Sequence, residues 1–158
     1  MSEKRTFKNP KRKGRSLQRQ RALDVLFEGD AKDLSAEGLS QLLRERRLIS
    51  TAQHPIDDFG VELVEAFIEN QDDIDSMIDA ASPSWSLQRM GTVDRNLLRI
   101  GATEIMHIGT DLPVVVNEIA SLAREFSTDK SVGFVMGVLN RIGEIRAAET
   151  AGLADEES

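Results

Sequence analysis

Apolar residues recur at helical spacing along most of this 158-residue chain, and that period decides what it can fold into. Ile56, Phe59, Leu63, Phe67, Ile74 and Ile78 keep one helical face, which predicts a single long helix from about Ile56 to Ala80. Before it, Leu39, Leu42 and Leu43 mark a helix beginning at Ser35, and "QHP" at 53–55 breaks the chain. "SPSWS" at 82–86 reads as a turn. Thr92 is placed to cap a helix ending before Gly109, and Pro113 suits the first turn of the next one. A last helix carries Phe134, Val135, Val138, Leu139, Ile142 and Ile145. The one β-rich run, "LPVVVN", is too short and isolated to build a sheet. The pattern predicts an all-α fold of about seven helices.

The opening segment adds a charge problem. Formal net charge is −7, yet residues 1–23 hold nine Lys or Arg against one acid. The remainder holds 11 bases against 26 acids. The chain is a basic arm on an acidic body, a polarity that suits a polyanion partner such as nucleic acid. Residues 1–14 read as a flexible arm, residues 15–149 as the helical domain and residues 150–158 as a disordered acidic tail. Ser16 and Gly29 are a possible cap and stop for the first helix. Between them Ala22, Leu23, Val25, Leu26 and Phe27 form an apolar arc, and at about 100° per residue Arg12, Arg15 and Arg19 fall on the same arc. The simplest resolution embeds the second half of the helix and leaves the first half overhanging, with its guanidinium groups open to a polyanion.

Other chemistry finds little support. With no cysteine there are no disulfides, thiolate metal sites or thiol nucleophiles, which agrees with a reducing cytoplasm. No apolar run approaches the ~20 residues of a membrane span, and no apolar segment follows the basic start as in a secretory signal. No Gly-rich phosphate loop or nucleophile elbow occurs, so neither catalysis nor a cofactor or metal is expected. Glu104 and His107 share a predicted helix face and read as structural or surface residues. Gly133 and Gly137 suggest close helix packing, and Trp85, the only Trp, reads as a core plug beside a turn.

Three stretches carry a resemblance. "WSLQRMGTVDRNLLRIGATEI" (85–105) holds the spaced set Trp85, Arg89, Asp94, Arg95, Leu98, Arg99 and Glu104. "LPVVVNEIASLAREFS" (112–127) is followed by "SVGFVMGVLN" (131–140), and "ALDVLFE" (22–28) closes the basic first helix. Together they resemble the bacterial NusB transcription antitermination family over roughly residues 15–145. Met136 stands where the family commonly has Asn, and Lys130 where some members carry an acid.

The resemblance implies two small helical bundles packed together. It also implies binding of boxA RNA in ribosomal RNA leader transcripts, jointly with the ribosomal small-subunit protein also called NusE, and an indirect link to transcribing RNA polymerase. On that basis the RNA-contact candidates are Lys11, Arg12, Lys13, Arg15, Arg19 and Phe27, with Lys130 and Ser131 at the entry to the last helix. Asp94 and Glu118 are candidates for the protein-partner face, and Arg95 and Arg99 for ties between helices. Three rivals remain at this point: a helical protein–protein scaffold with a non-specific basic tail, a piece of a ribosomal-RNA methyltransferase, and a DNA-binding helix-turn-helix, against which the mostly acidic helices after residue 23 argue. The chain shows no cofactor loop for the second.

Overall fold

The computed structural model describes residues 12–48 and 54–157, with the side chains of 154–157 left aside. The described residues form seven α-helices and no strand: α1 (Gly14–Ala31), α2 (Ala36–Leu48), α3 (Asp58–Glu69), α4 (Gln71–Ala81), α5 (Thr92–Thr103), α6 (Leu112–Phe126) and α7 (Asp129–Glu157). A 3-10 turn, Leu87–Arg89, precedes α5, and five residues of π-helix, Glu104–Ile108, extend it.

Helices α1, α2 and α3 pack on one another, while α4, α6 and α7 each lie against α5. Both α1 and α3 also touch α5, which therefore joins the two groups. This position explains its composition. Asn96, Leu97, Leu98, Ile100, Gly101, Ala102 and Thr103 are all buried, so α5 shows the core more than one face. Gly101 permits the closest approach. A Cβ there would stand 2.6 Å from Leu139 Cδ2 of α7 and 3.3 Å from Ile119 Cγ1 of α6. By contrast, Gly133 and Gly137 face open space and pack against nothing.

Five boundaries differ from the sequence reading; one is the start of α5, where Gly91 is the N-cap and Thr92, the expected cap, is the first helical residue. The expected long helix breaks at Asn70, whose backbone leaves the helical region at φ −128° and whose Nδ2 donates to the Ala66 carbonyl at 2.8 Å. A short amide side chain competes with the helix backbone in this way, and the apolar spacing across the break does not reveal it. Helix α1 begins at Gly14 rather than after Ser16. It runs past Gly29, whose missing Cβ makes room for Leu39. Helix α7 continues to Glu157, where a disordered tail was expected. Pro113 does open α6, and Gly109, at φ 84°, does end the α5 extension.

Arg95 and Arg99 tie the groups together. Arg95 Nε donates to Asp30 Oδ2 at 2.8 Å, Asn96 Nδ2 to the same oxygen at 2.9 Å, and Arg99 forms a two-bond fork on Asp75 at 3.0 Å. Burial pushes the Asp30 carboxyl up, but the Arg95 and Asn96 hydrogen bonds and the Arg95 and Arg99 charges outweigh it and hold it below its usual range. A carboxyl depressed in the fold stabilises above its unfolded pKa of about 3.9 and loses that contribution as pH falls through the folded value. Asp30→Asn is expected to cost about 1–3 kcal/mol at pH 7. In urea titrations that gap should narrow below about pH 4; a gap constant from pH 7 to pH 3 would refute the assignment.

Candidate nucleic-acid interface

The basic start of α1 separates into paired and unpaired cations. Arg12 is partly buried. Its Nη1 donates to Ser16 Oγ at 3.0 Å, and its Nη2 to Ser121 Oγ at 3.0 Å and to Glu125 Oε2 at 3.4 Å. Arg21 is tied to the His54 carbonyl at 2.6 Å and to Asp24 at 3.4 Å. Lys13 and Arg15 are exposed, and among the described residues neither has a carboxylate in ion-pair range. Arg15 lies over the Phe59 ring at 4.6 Å, a cation–π contact that orients the guanidinium without neutralising it. Gln18, which the charge pattern passes over, accepts the Asp57 backbone N–H at 2.7 Å and so seats α3 against α1. Lys11 lies outside the described residues.

Arg19 is not at the surface. Only 2% of it is exposed, and it grips Glu104 in a two-bond fork at 2.7 and 2.8 Å. Its Nη1 also stands 3.5 Å from Glu118 Oε1. Burial disfavours its charge, but the hydrogen bond and charge of Glu104, with the charge of Glu118, outweigh burial and hold the guanidinium above its usual pKa. Glu104 is itself fully buried, at the first residue of the π-helical segment. Arg19 is therefore corrected from an RNA contact to the core side of an ion pair. Glu104, expected to be structural or at the surface, is the structural partner in that pair.

A second cluster joins the starts of α5 and α7. Asp94, in the first turn of α5, accepts from Ser127 Oγ at 2.6 Å and from Ser131 Oγ at 2.7 Å. The Ser131 backbone N–H donates to Thr128 Oγ1 at 3.2 Å, an N-cap bond for α7. Ser131 is buried, its hydroxyl proton is committed to Asp94 and its N–H to Thr128, so it is corrected from phosphate ligand to helix-entry brace. Lys130 beside it is exposed and has no carboxylate in range among the described residues. Asp94 and Glu118, read as partner-face acids, both have bonds within the chain, and Glu118 keeps 29% side-chain exposure.

Phe27 is 41% exposed on α1, so its ring is not consumed by the core. Trp85 was expected inside and is 52% exposed. Ser82 Oγ donates to the Trp85 carbonyl at 2.8 Å, and the Leu87 N–H to Asp79 Oδ1 at 2.7 Å. Those two bonds hold the turn without the indole, and Leu87 enters the core in its place. Among the described residues no helix is long and apolar enough to cross a membrane, and no group of three or more His, Asp or Glu is placed to hold a metal.

Comparison with known proteins gives one family. The chain is 40% identical over 134 residues to "Transcription antitermination protein NusB" of Streptomyces coelicolor, covering 84% of this chain and 94% of that protein. It is 41% identical over 135 residues to the protein of the same name in Kineococcus radiotolerans, covering 84% and 95%. Among solved structures, T. maritima NusB is similar at TM-score 0.69 and 28% identity, covering 85% of this chain and 93% of that one. The NusB of a crystal structure of antitermination factors NusB and NusE in complex with dsRNA is similar at TM-score 0.67 and 26% identity, covering 83% and 96%. The NusB family model matches residues 16–144, from the first turn of α1 into the second half of α7, and the chain belongs to the NusB family.

Proposed function

We propose that this chain is a cytoplasmic transcription antitermination factor that binds boxA-type single-stranded RNA of ribosomal RNA leader transcripts together with the ribosomal small-subunit protein also called NusE. It acts by binding, without catalysis. The family supports the reading, as do the antitermination relatives and the solved assembly of NusB with NusE and RNA. The observation that carries it in this chain is the pair of exposed cations Lys13 and Arg15 at the N-terminal end of α1, without carboxylate partners among the described residues. A helix N-terminus adds its own partial positive charge there. Phe27 is the base-stacking candidate, Lys130 a further phosphate contact, and the acidic body the surface that meets a basic ribosomal protein.

Phosphate contacts set affinity without reading sequence. Lys13→Ala with Arg15→Ala should therefore weaken boxA and scrambled strands alike. It should also flatten the dependence of log K on log salt by about 1.4, at roughly 0.7 per phosphate contact on a single strand. An unchanged slope would remove these two cations from the interface. Retained capture of the ribosomal partner with no RNA binding at any salt would favour the scaffold reading.

A further inference from the structure

Arg12 is much less well satisfied than Arg19, the next paired arginine along the chain. The Arg19–Glu104 fork has bonds of 2.7 and 2.8 Å, whereas Arg12 meets its only carboxylate, Glu125, through a single contact of 3.4 Å. Two serine hydroxyls complete its partners. Its Nε is a buried donor with no acceptor at all among the described residues. A guanidinium offers five donors, and a phosphate accepts two of them side by side. Neither end of the pair is deeply enclosed, since 13% of the Arg12 side chain and 21% of the Glu125 side chain are exposed. Arg12 also immediately precedes Lys13 and lies three residues before Arg15, the two cations assigned to phosphate above.

We propose that Glu125 is a built-in competitor for RNA: it holds Arg12 in the free protein and yields it to a backbone phosphate when the strand binds. The inference rests on the RNA-binding reading of the α1 start and deepens it by assigning a regulator to that site. In the free protein the Glu125 carboxylate keeps Arg12 against α6. In the complex Arg12 turns to the strand as one more phosphate ligand, and Glu125 is left to solvent at the partly exposed edge it already occupies. The contact lowers RNA affinity uniformly, so weak non-cognate strands are released sooner.

Glu125→Gln is the test, because it keeps the shape and removes the competing charge. The variant, confirmed folded by circular dichroism, should bind single-stranded RNA about two- to fivefold more tightly at low salt, the range of one partly exposed ion pair. Arg12 reaches the phosphate in both complexes, so log K against log salt should keep the parent's slope, whereas Arg12→Gln should flatten it by about 0.7, one phosphate fewer. The same substitution in an Arg12→Gln background should give no gain, since no guanidinium remains to release. An unchanged affinity, or a gain that persists without Arg12, overturns the proposal. If the parent binds RNA in a manner that depends on Lys13 and Arg15 but Glu125→Gln brings no gain, only this inference fails. If the parent binds no RNA at any salt, the reading beneath it fails as well.

Discussion

Arg19→Ala is expected to lower the unfolding free energy by about 3–5 kcal/mol, a large fraction of the roughly 5–15 kcal/mol of a whole domain. The reason is what remains behind. Glu104 has no solvent exposure, and both of its oxygens are held by Arg19. Removing the guanidinium leaves a carboxylate in the core that must either stay charged without a partner or take up a proton. Replacing both members behaves differently, because two apolar side chains of similar volume need no hydration to be restored. Arg19→Met with Glu104→Leu should therefore recover most of the loss. Urea unfolding of the two single variants and the double variant measures this directly. A loss under about 1 kcal/mol for Arg19→Ala would mean the pair is not closed to water as the structure has it.

The second large effect lies where α5 meets α7. Leu139 is fully buried and its methyl groups occupy the space opened by Gly101. Leu139→Ala should cost about 2–5 kcal/mol through lost burial and the cavity left behind. Gly101→Ala should cost about 1–3 kcal/mol for the opposite reason, a methyl forced to within 2.6 Å of Leu139 Cδ2. Combined, they should cost less than the sum by more than about 0.5 kcal/mol, since the new methyl enters the volume the leucine vacates. Strict additivity in thermal or urea melts would show that the two residues do not share that space.

The sequence carried the helix pattern well because apolar spacing, Pro113 and Gly109 each act locally. It failed where a polar side chain acts on the backbone or on a distant partner. Asn70 stops α3 through its amide while Phe67, Ile74 and Ile78 keep the same register across the break. The arc shared by Arg19, Ala22, Leu23 and Leu26 contained the correct answer for Arg19, burial. The pattern did not show that Glu104, 85 residues away, waits in the core to receive it. Nor did the pattern show that Ser131 is buried and donates its hydroxyl to Asp94, 37 residues away. Trp85 shows the limit of hydrophobicity as a guide: apolar side chains are allowed outside, and local hydrogen bonds, not the indole, hold that turn. The exposure of the cations Lys13, Arg15 and Lys130 was legible, because a charged side chain on an open helix face needs no partner within the chain.

The distance between Arg19 and Glu104 along the chain also sets an order of events during synthesis. At roughly 5–20 residues per second, the 85 residues between them take about 4–17 seconds to make. Arg12 waits longer, since Ser121 and Glu125 lie 109 and 113 residues downstream. Through the first of these intervals Glu104, Glu118 and Glu125, the carboxylates that pair with Arg19 and Arg12, are still unmade. Until then the basic opening segment, with nine Lys or Arg against one acid in residues 1–23, lacks the acids from α6 and the α5 extension that pair with Arg12 and Arg19 in the finished fold.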